Sequence, residues 1–241
     1  MADYGLTVVN DYGATVIDSK RKVLVFSERG SFFITSKFID ASGLGIYNFL
    51  KPVRTQAPPQ IFLRTVSASN ASIALYIVTT TGGPGNWTGV GVMSGAGGTE
   101  LQRHNMEIVV CKYSDTPPKS DYGMILRDEK GQLLFSSDDR VVRYSRFTKN
   151  WTKVNGVTID EYRSDVTPAS DEFICITQMD RGVSWFTRQA SYASMWVRRF
   201  GAPYMGMQVQ YQPYGVYYEG VNGTSFSIPI CRFPSDRYYN D

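Results

Sequence analysis

Apolar and polar residues alternate with a period of two along much of this chain, the spacing that sends successive side chains to opposite faces of a β-strand. Tyr4, Leu6 and Val8 alternate with Gly5, Thr7 and Val9, and the same parity returns at Tyr122, Met124 and Leu126. The pattern predicts two strands that each turn this set of positions towards a core. "NDYG" (10–13) and "DEKG" (128–131) follow them, each with Asn or Asp first and Gly last. That is the order of a type I turn closing into a bulge, with Gly13 and Gly131 at the position of positive φ. Each stretch therefore predicts a hairpin, returning through "TVID" and "QLLF". Further strands are expected at "KVLVF", "SFFITSKF", "QIFLRTV", "SIALYIVT" and "MEIVVCKY". Beyond the second hairpin they are expected at "RVVRY", "EFICITQ", "VSWFTRQ", "YASMWVRRF", "MQVQYQ", "GVYYEG" and "SFSIPICRF". Short strands punctuated by Gly, Pro, Asn and Asp form the pattern of an antiparallel β-sandwich. "IDASGLGIYNFLKPV" (39–53) has room for one helical turn, and Pro229 requires the final strand to lie at an edge or to carry a bulge.

The chain also repeats itself. At a spacing of 118, Asp3, Tyr4, Gly5, Gly13 and Ser19 fall on Asp121, Tyr122, Gly123, Gly131 and Ser137. At a spacing of 120, "MEIVVCKY" (106–113) falls on "FSIPICRF" (226–233), matching Ile108 with Ile228 and Cys111 with Cys231, and "LYIV" (75–78) falls on "MWVR" (195–198). The two blocks keep their order and spacing. They predict two tandem, duplicated β-sandwich domains, residues 1–114 and 121–241, joined by a linker at 115–120 whose two prolines resist both helix and ladder.

Composition agrees with an all-β fold and narrows the partners. Tyr and Phe number 16 and 13, and Thr and Val are plentiful. A net charge of +3 is too slight for the electrostatic footprint of a dedicated nucleic-acid binder, so no specific nucleic acid is expected. No apolar run reaches the length of a membrane span, and the first residues lack the pattern of a signal peptide, so synthesis in the cytoplasm is expected. Cys111, Cys175 and Cys231 are odd in number and far apart, which favours reduced thiols over a disulfide framework.

Candidate chemistry is sparse. His104 is the single histidine, has no second ligand at metal spacing, and reads as a surface residue at the start of a strand. Cys111 and Cys231 occupy matching positions suited to core packing. The glycine-rich stretch 79–100 lacks the G-x-x-x-x-G-K-[ST] spacing and reads as a mobile loop, with Trp87 either tucked into a local cluster or held out for a partner. The carboxylates of "SSDDR", "TIDEYRSD" and "ASDEF" lie beside turn residues, where Asp and Ser cap the backbone. "RVVRYSRFTK" (140–149) combines basic residues with Tyr144 and Phe147, but strand alternation would divide Arg140 from Arg143. No catalytic residue, metal or cofactor is expected. The richest interface material is aromatic: Trp87 together with Tyr204, Tyr211, Tyr214, Tyr217 and Tyr218, more tyrosines than one small core absorbs with its hydroxyls satisfied.

The opening Y-G-L-x-V-x-N-x-x-G-x-x-x-x-D-S of residues 4–19 resembles the start of small β-rich virion proteins of tailed bacteriophages, many of them tail-associated. The resemblance covers the first hairpin alone, and its echo at 122–137 ends in Ser-Ser. It implies a non-enzymatic structural component of the tail tip or fibre region, localised to the virion and packing against copies of itself and other virion proteins. A carbohydrate- or receptor-binding module that uses exposed aromatics on a host surface glycan is the alternative.

Overall fold

Segments rich in Val, Ile, Phe and Tyr become strands, because β-branched and aromatic side chains fit a pleated, half-buried surface. In the computed structural model they do so across the described residues. The structure describes residues 7–9, 11, 15–18, 22–37, 43–68, 74–95, 103–119, 121–148, 150–154, 159–175, 185–186, 189–190, 193–197, 205–210 and 228–235. In chain order the strands are β1 (Thr7–Val9), β2 (Thr15–Asp18), β3 (Leu24–Ile34), β4 (Ser36–Lys37), β5 (Gly43–Val53), β6 (Gln60–Ala68), β7 (Ala74–Gly83), β8 (Asn86–Gly95) and β9 (His104–Tyr113). They continue as β10 (Ile125–Arg127), β11 (Leu133–Ser136), β12 (Tyr144–Phe147), β13 (Trp151–Val154), β14 (Ile159–Ser164), β15 (Glu172–Cys175), β16 (Trp185–Phe186), β17 (Gln189–Ala190), β18 (Ala193–Val197), β19 (Met205–Gln210) and β20 (Pro229–Arg232). No helix occurs among the described residues.

Two antiparallel sheets carry the fold. One has six strands in the order β12-β20-β15-β6-β9-β3, the other eight in the order β13-β14-β19-β18-β7-β8-β5-β4. Residues 1–114 and 121–241 each supply three strands to the first sheet and four to the second, so the segment at 115–120 does not separate one sheet from another. Read outward from the middle, the order is mirrored: β6, β9, β3 against β15, β20, β12, and β7, β8, β5, β4 against β18, β19, β14, β13. The halves join where Leu63 and Phe62 pair with Ile174 and Cys175, and where Leu75 pairs with Met195.

The six-stranded sheet also closes on itself. Phe26 N donates to Arg140 O and Val142 N to Leu24 O, both at 2.9 Å, and Val25 bridges Val141 just before β12 begins. Strand parity then gives the sheet two buried faces. Ile61, Leu63, Ile108, Val110, Ile174 and Ile230 point to a core shared with Phe49, Val53, Leu75, Val78, Val90 and Val92 of the larger sheet. The residues between them, Phe62, Val109, Cys111, Phe173, Cys175 and Cys231, form a second core with Val142 and Phe233. There Phe233 meets Phe62 and Phe173 edge-on, at centroid distances of 5.1 and 5.5 Å. Each such side chain contributes about 1.5–3 kcal/mol on burial. Runs such as "QIFL" and "EIVVC" lack alternation because both of their faces are inside.

Three expectations are corrected. Residues 43–53 form β5 and not a helical turn, since the larger sheet takes their apolar positions at period two, and residues 39–42 lie outside the described residues. Residues 79–95 of the glycine-rich stretch belong to a hairpin and not a loop, with β7 and β8 paired from Ala74–Gly95 to Gly83–Asn86, and residues 96–100 lie outside the described residues. Pro84 and Gly85 make its turn, Gly85 at φ +79°, as position three of a type II turn requires. At Gly89 a Cβ would lie 2.6 Å from the Tyr47 carbonyl oxygen, so the absence of a side chain is what lets β5 and β8 approach. Pro229 lies in an interior strand between β12 and β15. It is tolerated there as the first residue of β20, opposite Phe147 on the bulged β12.

Phe62→Ala should destabilise the fold by about 3–5 kcal/mol in urea unfolding, because the ring is fully buried at the junction of the halves. Phe33→Ala, at a position 61% exposed, should change it by less than about 1 kcal/mol.

Candidate functional site

Strand ends in a two-sheet fold leave polar side chains at the rims of its cores, and here they are drawn into ion pairs. On the inner rim Glu107 of β9 lies between Arg29 of β3 and Arg64 of β6, accepting from Arg29 Nη2 at 2.8 Å and Arg64 Nε at 2.9 Å. Both guanidinium groups stand over the Phe173 ring, 5.3 and 5.1 Å from its centroid, and donate onward to Phe233 O and Ser170 O. The cations are thus paired, stacked and hydrogen-bonded across four strands of both halves. At another rim Glu172 accepts from Arg146 and from Ala169 N, and Arg232 reaches Asp171 at 3.1 Å.

Between the sheets the buried Glu28 carboxylate accepts from Leu50 N at 3.0 Å and from the Tyr47 hydroxyl. Burial pushes its carboxyl up from the usual range, against the lowering effect of those hydrogen bonds. Burial, with Glu28 beside it, likewise pushes the Tyr47 phenol up. The Tyr47 ring rests on Gly30, where any Cβ would collide with it. The pair therefore locks β3 to β5.

The expected site residues divide. Trp87 is half-buried, packs on the core between the sheets, and donates Nε1–H to Thr55 O at 3.0 Å. It holds the β7–β8 tip to the segment after β5. Tyr204, Tyr211, Tyr214, Tyr217, Tyr218 and Gly13 lie outside the described residues. Gly131 has φ +75°, and its N–H donates to Asp128 O while the Asp128 carboxylate accepts from Lys130 N and Gln132 N. Asp139 accepts from Ser114 Oγ and Ser136 N, and Asp138 from Lys119 N, so this acidic pair secures turns. Arg140 and Arg143 are both exposed on either side of the buried Val142. All three cysteines are buried thiols of the inner core outside any disulfide, and desolvation raises the Cys111 thiol and pushes Cys231 up to about 12. Among the described residues no group of three His, Cys, Asp or Glu side chains is placed to hold a metal ion.

Two placements differ from expectation. His104 is not on the surface: it is buried, 2% exposed, because its parity is that of Met106 and Ile108, and among the described residues neither ring nitrogen has a hydrogen-bond partner. Tyr122 and Met124 do not face a core. β10 begins only at Ile125, and of that set Leu126 alone packs inward, with Phe135, Val23 and Val25. Tyr122 is 92% exposed, with Met124 and Ile125 exposed beside it, as are Phe33, Ile46, Leu50, Tyr144 and Phe147 elsewhere. The run Met124-Ile125-Leu126 carried a signal for this, since three consecutive apolar residues in a strand put at least one on the outer face.

No protein-family model, curated protein or solved structure matches the chain in comparison. Among the described residues no helix is long and apolar enough to cross a membrane.

Burial lowers the His104 pKa from 6.5 to about 4. The unfolded chain therefore binds this proton first as pH falls. Stability should be full above about pH 6.5 and should drop by about 3 kcal/mol on acidification towards pH 4. His104→Leu should flatten that part of the stability–pH curve measured by urea unfolding. A curve unchanged by the substitution would refute the assignment.

Proposed function

We propose that the chain is a non-enzymatic structural component of a tailed bacteriophage virion, of the tail tip or fibre region, that works by packing against copies of itself and other virion proteins. The resemblance of residues 4–19 supports the virion and tail assignment, with synthesis in the host cytoplasm preceding assembly. The observation that carries the packing role is the contrast between interior and surface. Rim charges and buried carboxylates are consumed in internal pairs, whereas large apolar side chains stand exposed at Tyr122, Met124, Ile125, Phe33, Ile46 and Leu50. Apolar side chains of this size on an outer surface are the material of protein interfaces. The mirrored strand order supports reading the chain as two copies of one unit, which presents similar surfaces twice at fixed spacing.

A second reading is a carbohydrate- or receptor-binding module. It is favoured by Tyr144 and Phe147, exposed rings 5.1 Å apart that offer a stacking platform. Trp87 serves it poorly, with its ring packed on the core and its N–H already donated.

Light scattering across a range of concentrations should give a defined multiple of the 27.1 kDa chain. A mass of 27.1 kDa at every concentration, together with binding to a glycan array, would favour the second reading instead.

A further inference from the structure

The two hairpins are the same object built twice. β1 and β2 pair as Thr7–Asp18, Val8–Ile17 and Val9–Thr15, with a bulge between Val8 and Val9. β10 and β11 pair as Ile125–Ser136, Leu126–Phe135 and Arg127–Leu133, with the bulge between Leu126 and Arg127. Every partner and the bulge agree at a spacing of 118. Among the described residues the first strand of each hairpin has one sheet partner and, on its other side, an open edge.

Their anchoring differs. The second hairpin is seated on the body: Val23 N donates to Leu134 O, Phe135 and Leu126 pack on Val23 and Val25, and Asp139 takes Ser114 Oγ and Ser136 N. At the same spacings the first hairpin finds Arg21 for Asp139, Pro234 for Ser114 and Arg143 for Val25. Arginine cannot accept the two hydrogen bonds, proline has neither hydroxyl nor N–H, and a charged side chain replaces an apolar seat. The first hairpin keeps the strand register of the second, while its sequence lacks these three of the groups that seat the second.

Within the chain, open edges are closed in one way: matching strands of the two halves meet antiparallel, β7 with β18 and residues 24–26 with residues 140–142. We infer that β1 of one copy pairs antiparallel with β10 of another, edge to edge, by the same rule. Val8 then lies opposite Leu126 and Val9 opposite Ile125, two exposed apolar side chains brought into one cross-strand pair. The contact joins two different elements, so it is heterologous, and copies follow one another head to tail into a closed ring or a filament. This rests on the self-packing role proposed above and names the partner as a second copy of this chain.

The test uses full-length chains with Val9→Lys or Ile125→Lys, since lysine on an edge strand opposes pairing. Val9 and Ile125 are 55% and 45% exposed, so the fold should be kept. Gln56→Lys, at an exposed polar position away from the hairpins, is the control. Each hairpin variant should raise the concentration for half-assembly at least tenfold in light scattering, and the control should not. In a second measurement Val9→Cys and Ile125→Cys chains are mixed and oxidised. A crosslinked species of twice the chain mass should form readily in the mixture and far less in either chain alone. An oligomer indifferent to both lysines, or a mixture that crosslinks no better than its components, overturns the pairing and leaves self-packing intact. A wild-type chain that is monomeric at every concentration overturns both.

Discussion

Burying the six-stranded sheet on both faces is the constraint from which the rest of this structure follows. Strands β6, β9, β15 and β20 are apolar at consecutive positions, and a strand of that kind is stable only where both of its faces are dry. The eight-stranded sheet dries one face. The other is dried when the sheet curls until Leu24 and Phe26 hydrogen-bond to the residues that lead into β12. Closure forms the second core and also satisfies backbone groups that an end strand would leave open. Its cost falls at the rims, where side chains leave water without entering an apolar layer, and Glu107 with its two arginines over Phe173 is the local answer.

The same constraint makes the halves interdependent. Each core is lined from both sides of the 115–120 segment: Phe62 and Cys111 meet Phe173 and Cys231, and Ile61 and Met106 meet Ile174 and Ile228. Either half alone would expose one flank of β6 or β15 and leave both cores open. The mirrored strand order shows how the joint works. The strands at the middle of both sheets belong to different halves, so the seam crosses the most buried part of the molecule.

Local patterning made the strands legible, and it made the turn at Gly131 and the apolar setting of the cysteines legible too. These depend on φ preference and side-chain parity, which act over a few residues. Parity assigns a residue to a face but does not say which layer covers that face. For this reason the strands could be read from the sequence, while the sharing of both sheets by residues 1–114 and 121–241 could not. His104 shows the same limit: one histidine among polar neighbours reads as exposed until Met106 and Ile108 draw its side of β9 into the core. In the glycine-rich stretch composition pointed to a loop. There the glycines serve close strand approach, a property of β5 and β8 together and not of residues 79–100 alone. The polar pairs joining Glu28 to Tyr47 and Arg29 to Glu107 span from 19 to 78 positions and left no local signal.

What remains at the surface is ordered by how the edges are treated. β4 covers only Gly43 and Leu44 of β5, yet the rest of β5 is a poor template for another strand. Leu50 N–H is taken by Glu28, and the bulge between Asn48 and Val53 carries Lys51 and Pro52. A charge, a proline and an irregular register are devices that oppose edge-to-edge association. β10 has none of the three before its own bulge, and it presents Met124 and Ile125 outward. The chain thus blocks an edge that borders its core, while among the described residues one edge of the peripheral hairpin has no strand beside it. Under the self-packing proposed above, a second strand is added there without disturbing either buried layer.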